Sequence, residues 1–114
     1  MSENEKAQQR AMNAETRRRL LAQGSDPSHP HELVNVFYVF TEADTSRLIQ
    51  ALQGHGFGEP RLEKVPEREG DYWEVEASAL RQPTVSELDA MTDQCVELAA
   101  QFDAEYDGWY TQPA

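Results

Sequence analysis

Few side chains in this sequence could perform chemistry. Three histidines, His29, His31 and His55, are the possible metal ligands or bases. His29 and His31 lie in a Pro-rich loop, and His55 lies at the end of a predicted helix, where a cation is mildly favoured. Because no nearby carboxylate pair completes a ligand set at metal spacing, we interpret all three as solvated histidines rather than as a metal site.

The other candidate reactive groups also favour structural roles. Cys95 falls on the apolar stripe of a predicted helix, which indicates a small buried hydrophobe rather than a nucleophile. Glu67, Glu69 and Asp71 cluster in a predicted hairpin turn, where carboxylates usually solvate a loop. The glycine-rich stretch 54–58 follows a helix instead of opening one, so it indicates a helix stop and not a phosphate loop. We therefore predict no catalytic, metal-binding or cofactor-binding residues, and no enzyme.

Charge narrows the possible partners. The 114 residues carry 10 basic and 21 acidic side chains, for a net charge of −11. Residues 1–24 hold five basic and three acidic side chains, and the rest hold five and eighteen, which leaves a mildly basic arm on a strongly acidic body. Such a chain is poorly suited to direct nucleic-acid binding and well suited to a basic protein. No apolar run could span a membrane.

The single cysteine and the polar N-terminus bear on location. One cysteine excludes an intramolecular disulfide, and the opening Met-Ser-Glu-Asn-Glu-Lys does not resemble a signal peptide. Both features favour a cytoplasmic protein.

Periodicity predicts one α+β domain. Residues 1–24 form a helical arm, docked mainly through its last turns because apolar residues are sparse before Leu20, and residues 25–114 form the body. The order after the arm is strand, helix, strand, strand, helix, strand, which is the ferredoxin-like βαββαβ order of a two-layer sandwich. The expected elements are a helix at 7–22, a strand at 32–40, a helix at 41–55, strands at 57–65 and 71–79, a helix at 84–102, and a strand at 104–111.

The predicted sheet has one helix-covered face and one open face. The strand at 32–40 is apolar on both sides, so it is placed in the centre of the sheet beside 71–79. We expect aromatic rings among carboxylates on the open face, an arrangement that suits arginine side chains. An ordinary solvated face, or one covered by the arm, is the alternative. The residues assigned to the open face are Asn35, Phe37, Val39, Tyr72, Glu74 and Glu76.

Two further features could bind a partner. The last helix carries acids at Glu87, Asp93 and Glu97 away from its apolar stripe, and the alternative is a solvated helix surface. Trp109, near the C-terminus, is either a core anchor or a partner anchor. The adjoining Asp-Gly pair at 107–108 indicates a tight turn or a bulge.

Several segments together resemble a known family, the regulators of ribonuclease E activity B. The resemblance covers residues 12–111. It rests on residues 15–17, the leucines at 20–21, Gly-Ser-Asp-Pro at 24–27, the capped helix from Thr41, and the closing segment 102–109. The matching signature positions are Gly24, Asp26, Pro27, Tyr106, Asp107, Gly108 and Trp109.

The resemblance implies a cytoplasmic bacterial protein with a ferredoxin-like fold, no catalytic activity and no cofactor. It implies binding to ribonuclease E through that enzyme's basic, non-catalytic scaffold region, which inhibits RNA cleavage. The signature positions are structural or contact residues. The oligomeric state is left open.

Two other functions fit the residues. An acidic module could cover another basic protein, as an immunity protein covers a toxin. A dimer could enclose a small molecule between open sheet faces, although Glu74 and Glu76 disfavour an apolar cavity there.

Overall fold

The computed structural model describes residues 2–26, 28–58, 60–67 and 70–111; the side chains of Ser2 and of residues 65–67 and 71 are outside that description. The elements are three helices and four strands: α1 (Ser2–Ala22), β1 (His31–Val39), α2 (Glu42–Gly54), β2 (Arg61–Glu67), β3 (Gly70–Arg81), α3 (Val85–Gln101) and β4 (Glu105–Tyr110). The protein is therefore α+β, as expected.

The four strands form one antiparallel sheet with the order β2-β3-β1-β4. The prediction that the first and third strands are central is confirmed. This order of helices and strands fits a ferredoxin-like arrangement preceded by a helix. In the described part of the chain, no helix combines the length and the apolar character that a bilayer crossing requires.

Helices α2 and α3 cover one face of the sheet. Each begins at a threonine cap: the hydroxyl of Thr41 accepts from Asp44 N–H, and that of Thr84 from Glu87 N–H. Thr84 N–H donates to Gln82 O at 2.8 Å, so Thr84 and Glu87 do not complete a reciprocal capping box. The apolar stripe of α3 is buried as predicted, and the core residues include Leu33, Phe37, Val39, Leu48, Leu52, Val75, Ala77, Leu88, Met91, Cys95 and Leu98.

The edge strand begins later than predicted. Phe57 N–H donates to Leu52 O, Gly56 N–H donates to Gln53 O, and Gly56 has a φ of +85°. This is a Schellman ending of α2, in which the residue after the glycine packs back on the helix. Phe57 is 5% exposed and belongs to the core, so β2 starts only at Arg61.

Helix α1 differs most from expectation. It begins at Ser2 rather than near residue 7, and it packs antiparallel along α3. The prediction that it docks through its last turns is wrong. One side of α1 faces α3 and the loop before it. It consists of four polar residues and one leucine, spaced 4, 3, 4 and 3 apart: Lys6, Arg10, Asn13, Arg17 and Leu20.

Candidate protein-binding surface

The residues with reactive side chains do not converge. His55 contacts Gln94 at 2.8 Å, and His29 lies 3.3 Å from Asp26 in the loop after α1. His31 is 3% exposed, so its assignment as solvated was wrong; it starts β1 on the helix-facing side. Within the described residues, no group of three or more His, Cys, Asp or Glu could hold a metal ion. The side chains of the 67–71 acid cluster lie outside the described part.

Cys95 is buried in the core beside Tyr106. Burial raises the pKa of the thiol to about 12. The thiolate is the reactive form of cysteine, and it is scarce at neutral pH when the pKa is this high. The structural interpretation of Cys95 is therefore supported.

Two of the predicted partner-binding acids on α3 are paired within the chain. Glu97 Oε1 accepts from Lys6 Nζ at 2.6 Å, and Asp93 Oδ2 accepts from Arg10 at 2.5 Å. In each ion pair one of the two side chains is more than half exposed, so solvent screens the attraction between the charges. The basic arm thus neutralises part of the acidic face of α3, whereas Glu87 remains exposed at the start of that helix.

Asn13 forms the centre of the α1–α3 contact. Its side chain is 2% exposed and makes three polar contacts. Nδ2 donates to Thr92 Oγ1 at 2.9 Å and to Asp89 Oδ1 at 3.2 Å, and Oδ1 accepts from Trp109 Nε1 at 2.8 Å. Trp109 also packs against the core. The structure therefore supports the core-anchor alternative for Trp109, and Asn13 of α1 accepts the hydrogen bond from its ring N–H.

The described signature residues near the C-terminus form a scaffold. Val36 pairs with Gly108 while Phe37 pairs with Tyr106, so Asp107 is the extra residue of a β-bulge, and Gly108 has a φ of +98°. The bulge lets Tyr106 and Trp109, three residues apart, both contact the helix side. There, the Tyr106 hydroxyl donates to Asn35 Oδ1 at 2.6 Å.

The described signature residues after α1, Gly24 and Asp26, make local turn contacts. Gly24 has a φ of +86° and closes a Schellman motif, since Ser25 N–H donates to Leu20 O and Gly24 N–H to Leu21 O. The Asp26 carboxylate accepts from the hydroxyl and N–H of Ser28, which lowers the pKa of Asp26. Pro27 lies outside the described residues.

The open face of the sheet is lined by alternate residues of β1 and β3. These are half-buried, and across the two central strands Tyr38 lies opposite Glu74 and Val36 opposite Glu76. Tyr110, from β4, donates its hydroxyl to Glu76 Oε2 at 2.9 Å. We call this surface the open face; it comprises Val34, Val36, Tyr38, Tyr72, Glu74, Glu76 and Tyr110, bordered by Phe40, Glu63, Glu105 and Asp107. Helix α1 packs on α3 and not across it.

Phe37, Asn35 and Val39 are not on the open face, and that part of the prediction was wrong. Phe37 is 0% exposed, lies opposite Val75 and packs against Tyr106, with ring centroids 5.1 Å apart and ring planes tilted by 41°. Both faces of β1 are apolar, so its alternation could not decide which face meets the helices. The open-face aromatics are Tyr38 and Tyr72, whose rings are 5.7 Å apart and nearly perpendicular.

Carboxylates crowd on this surface. Glu63 lies directly opposite Glu74 in the β2–β3 register. Burial raises the pKa of Glu74, and the charges of Glu76, Glu63 and Asp107 raise it further. Like charges facing each other across strands are destabilising. Arg61 Nη1 lies 3.9 Å from Glu76 Oε1.

A four-stranded sheet with one helix-covered face and one open face of tyrosines and carboxylates has the character of a small α+β binding domain. Comparison with family models agrees with this class. The chain belongs to the family described as regulator of ribonuclease activity B, whose model matches residues 10–111. Members of this family are regulators and not enzymes, so the protein regulates ribonuclease activity, with a ribonuclease as its protein partner. No curated protein sequence matches the chain.

Proposed function

We propose that this protein binds ribonuclease E in the cytoplasm, through the basic scaffold region of that enzyme, and inhibits RNA cleavage by occupying that region. The domain that does so is ferredoxin-like with an added N-terminal helix. Family membership supports a ribonuclease as partner. The net charge of −11 supports a basic target.

The observation that carries the choice of surface is the distribution of internal ion pairs. On α3, Glu97 and Asp93 each have a cation from α1 within 2.6 Å. On the open face, Glu63 lies opposite Glu74, and Arg61 lies 3.9 Å from Glu76. A basic segment laid across the open face would relieve this repulsion, so the open face is our docking surface and α3 is secondary.

Occupancy explains inhibition without catalytic residues. A scaffold segment held against the sheet would be unavailable to RNA or to helper proteins. Because the contact joins opposite charges at the protein surface, its association should be fast at low ionic strength and weaken as salt rises, with screening over about 8–10 Å.

The test is calorimetric titration of the full chain against the catalytic half and the scaffold half of the same organism's ribonuclease E, at two salt concentrations. We expect salt-sensitive binding to the scaffold half alone. Binding to the catalytic half alone, or to neither half, would contradict the proposed partner region.

Charge variants locate the surface. Glu74→Gln with Glu76→Gln removes two carboxylates from the open face and should weaken scaffold binding roughly five- to twentyfold. Glu5→Gln with Glu42→Gln removes the same charge from exposed positions on α1 and α2, and serves as the matched control. Equal affinities of the two double variants would exclude the open face as the docking surface.

A further inference from the structure

A cleft opens at one end of the open face, where β1 leaves the sheet. It has a volume of about 240 Å³ and is lined by Tyr38, Phe40, Tyr72 and Glu105. Three walls are aromatic and one is a carboxylate. Phe40 is 49% exposed, which is high for a phenylalanine beside a sheet. A cleft with this lining fits a ligand that is flat, partly apolar and positively charged.

The rings offer a surface for a cation. Tyr38 and Tyr72 meet edge to face at an interplanar angle of 82°, and both rings line the cleft. The π face of an aromatic ring attracts a cation placed within about 6 Å of its centre. The chain uses the same kind of contact elsewhere, since Lys64 Nζ lies 5.7 Å from the ring centre of Trp73.

The charges around the cleft are negative. Glu105 forms part of its wall, Glu74 faces Tyr38 across the β1–β3 register, and Asp107 contacts Tyr38. Burial and the charges of Asp107 and Glu74 raise the pKa of the Tyr38 hydroxyl, which therefore stays neutral and able to donate. Arg61, by contrast, lies at the other end of the face with Glu76 and Tyr110.

These features distinguish arginine from lysine. A guanidinium is planar, stacks on rings, is weakly hydrated and can bond one carboxylate through two N–H groups. A lysine ammonium is compact and strongly hydrated, so a half-buried aromatic cleft holds it less well. We propose that the cleft receives an arginine side chain of the partner's basic segment and makes binding selective for arginine over lysine. This proposal rests on the proposed function and specifies the chemistry of the partner.

The test uses hexa-arginine and hexalysine peptides, which carry the same charge, titrated into the full chain at low salt. Hexa-arginine should bind about three- to fivefold more tightly, the size of an exposed cation–π contact. Tyr72→Ala should abolish that difference while leaving hexalysine affinity within about twofold. The matched control is Tyr110→Ala, which removes an open-face tyrosine outside the cleft and should keep the preference. Thermal melts verify that both variants fold.

Equal affinities for the two peptides in the wild-type chain would overturn the proposal, as would a preference that survives Tyr72→Ala. A dimer that Tyr72→Ala dissociates would also overturn it, because a second copy would then fill the cleft. The proposed function and the arginine cleft can be told apart. Scaffold binding that Tyr72→Ala leaves unchanged would contradict the arginine cleft and support the proposed partner. An arginine preference without any scaffold binding would support the arginine cleft and contradict the proposed partner.

Discussion

Replacing Asn13 with alanine tests whether α1 is an integral layer of the fold. The asparagine is 2% exposed and makes hydrogen bonds to Thr92, Asp89 and Trp109. Each intramolecular hydrogen bond contributes about 0.5–1.5 kcal/mol net, and a buried group left without a partner costs about 1–3 kcal/mol. Thr92 keeps its bond to Leu88 O, so the main orphan is the Trp109 N–H. We expect Asn13→Ala to lower the free energy of unfolding by about 2–4 kcal/mol.

Urea unfolding followed by tryptophan fluorescence measures this loss, with the dependence on denaturant unchanged. Asn4→Ala, at an exposed position of the same helix, is the control, because it reports the helix propensity of the same substitution without the buried contacts; it should stay within about 0.5 kcal/mol of wild type. Trp109→Phe removes the ring N–H, and its combination with Asn13→Ala should show a coupling of about 1 kcal/mol. Asn13→Ala with wild-type stability would refute the docking of α1 through this buried contact.

Three further predictions concern single residues. Because the folded-state pKa of Glu74 is raised, its ionised form destabilises the native state. Glu74→Gln should therefore raise the melting temperature at pH 7, by an amount that shrinks as the pH falls through the raised folded-state pKa and is gone below the ordinary glutamate pKa of about 4.3; equal melting of variant and wild type at pH 7 would contradict this. Cys95 should resist a thiol-specific reagent in the native chain at pH 8 and react at once in urea, and rapid native labelling would place the thiol at the surface instead. Thr84→Ala removes the cap of α3 and should cost about 1 kcal/mol in urea unfolding, whereas Thr84→Ser should recover most of it; an alanine variant as stable as the serine one would show that the cap is dispensable.

The elements and most of the core could be predicted from local patterns. The stripe of Leu88, Met91, Cys95 and Leu98 at spacings of 3 and 4 indicates one buried helix face, and the clean alternation of β3 separates Val75 and Ala77 from Glu74 and Glu76. When only one side of an element is apolar, such periodicity predicts both the type of the element and the face that is buried.

The candidate surface was predicted only in part, for the same reason. The polar side of β3 correctly predicted the open-face positions of Tyr72, Glu74 and Glu76. Phe37 was misplaced because β1 is apolar on both sides, so only pairing with β3 reveals which side meets the helices. A register shift of one residue exchanges the faces, and no local signal in β1 opposes it.

The sequence by itself determined the acidic charge and the element order, because these depend on residue types and on residues that are neighbours along the chain. It left the Asp-Gly pair at 107–108 open between a tight turn and a bulge, and the pairing of β1 with β4 decided for the bulge. The tertiary structure alone decided how α1 docks, because the polar residues of α1 pair with acids of α3 that lie 76 to 91 positions away along the chain. It also decided which acids stay available. Glu97 and Asp93 are paired by α1 while Glu74 and Glu63 face each other, and that difference arises from packing and strand register rather than from residue type.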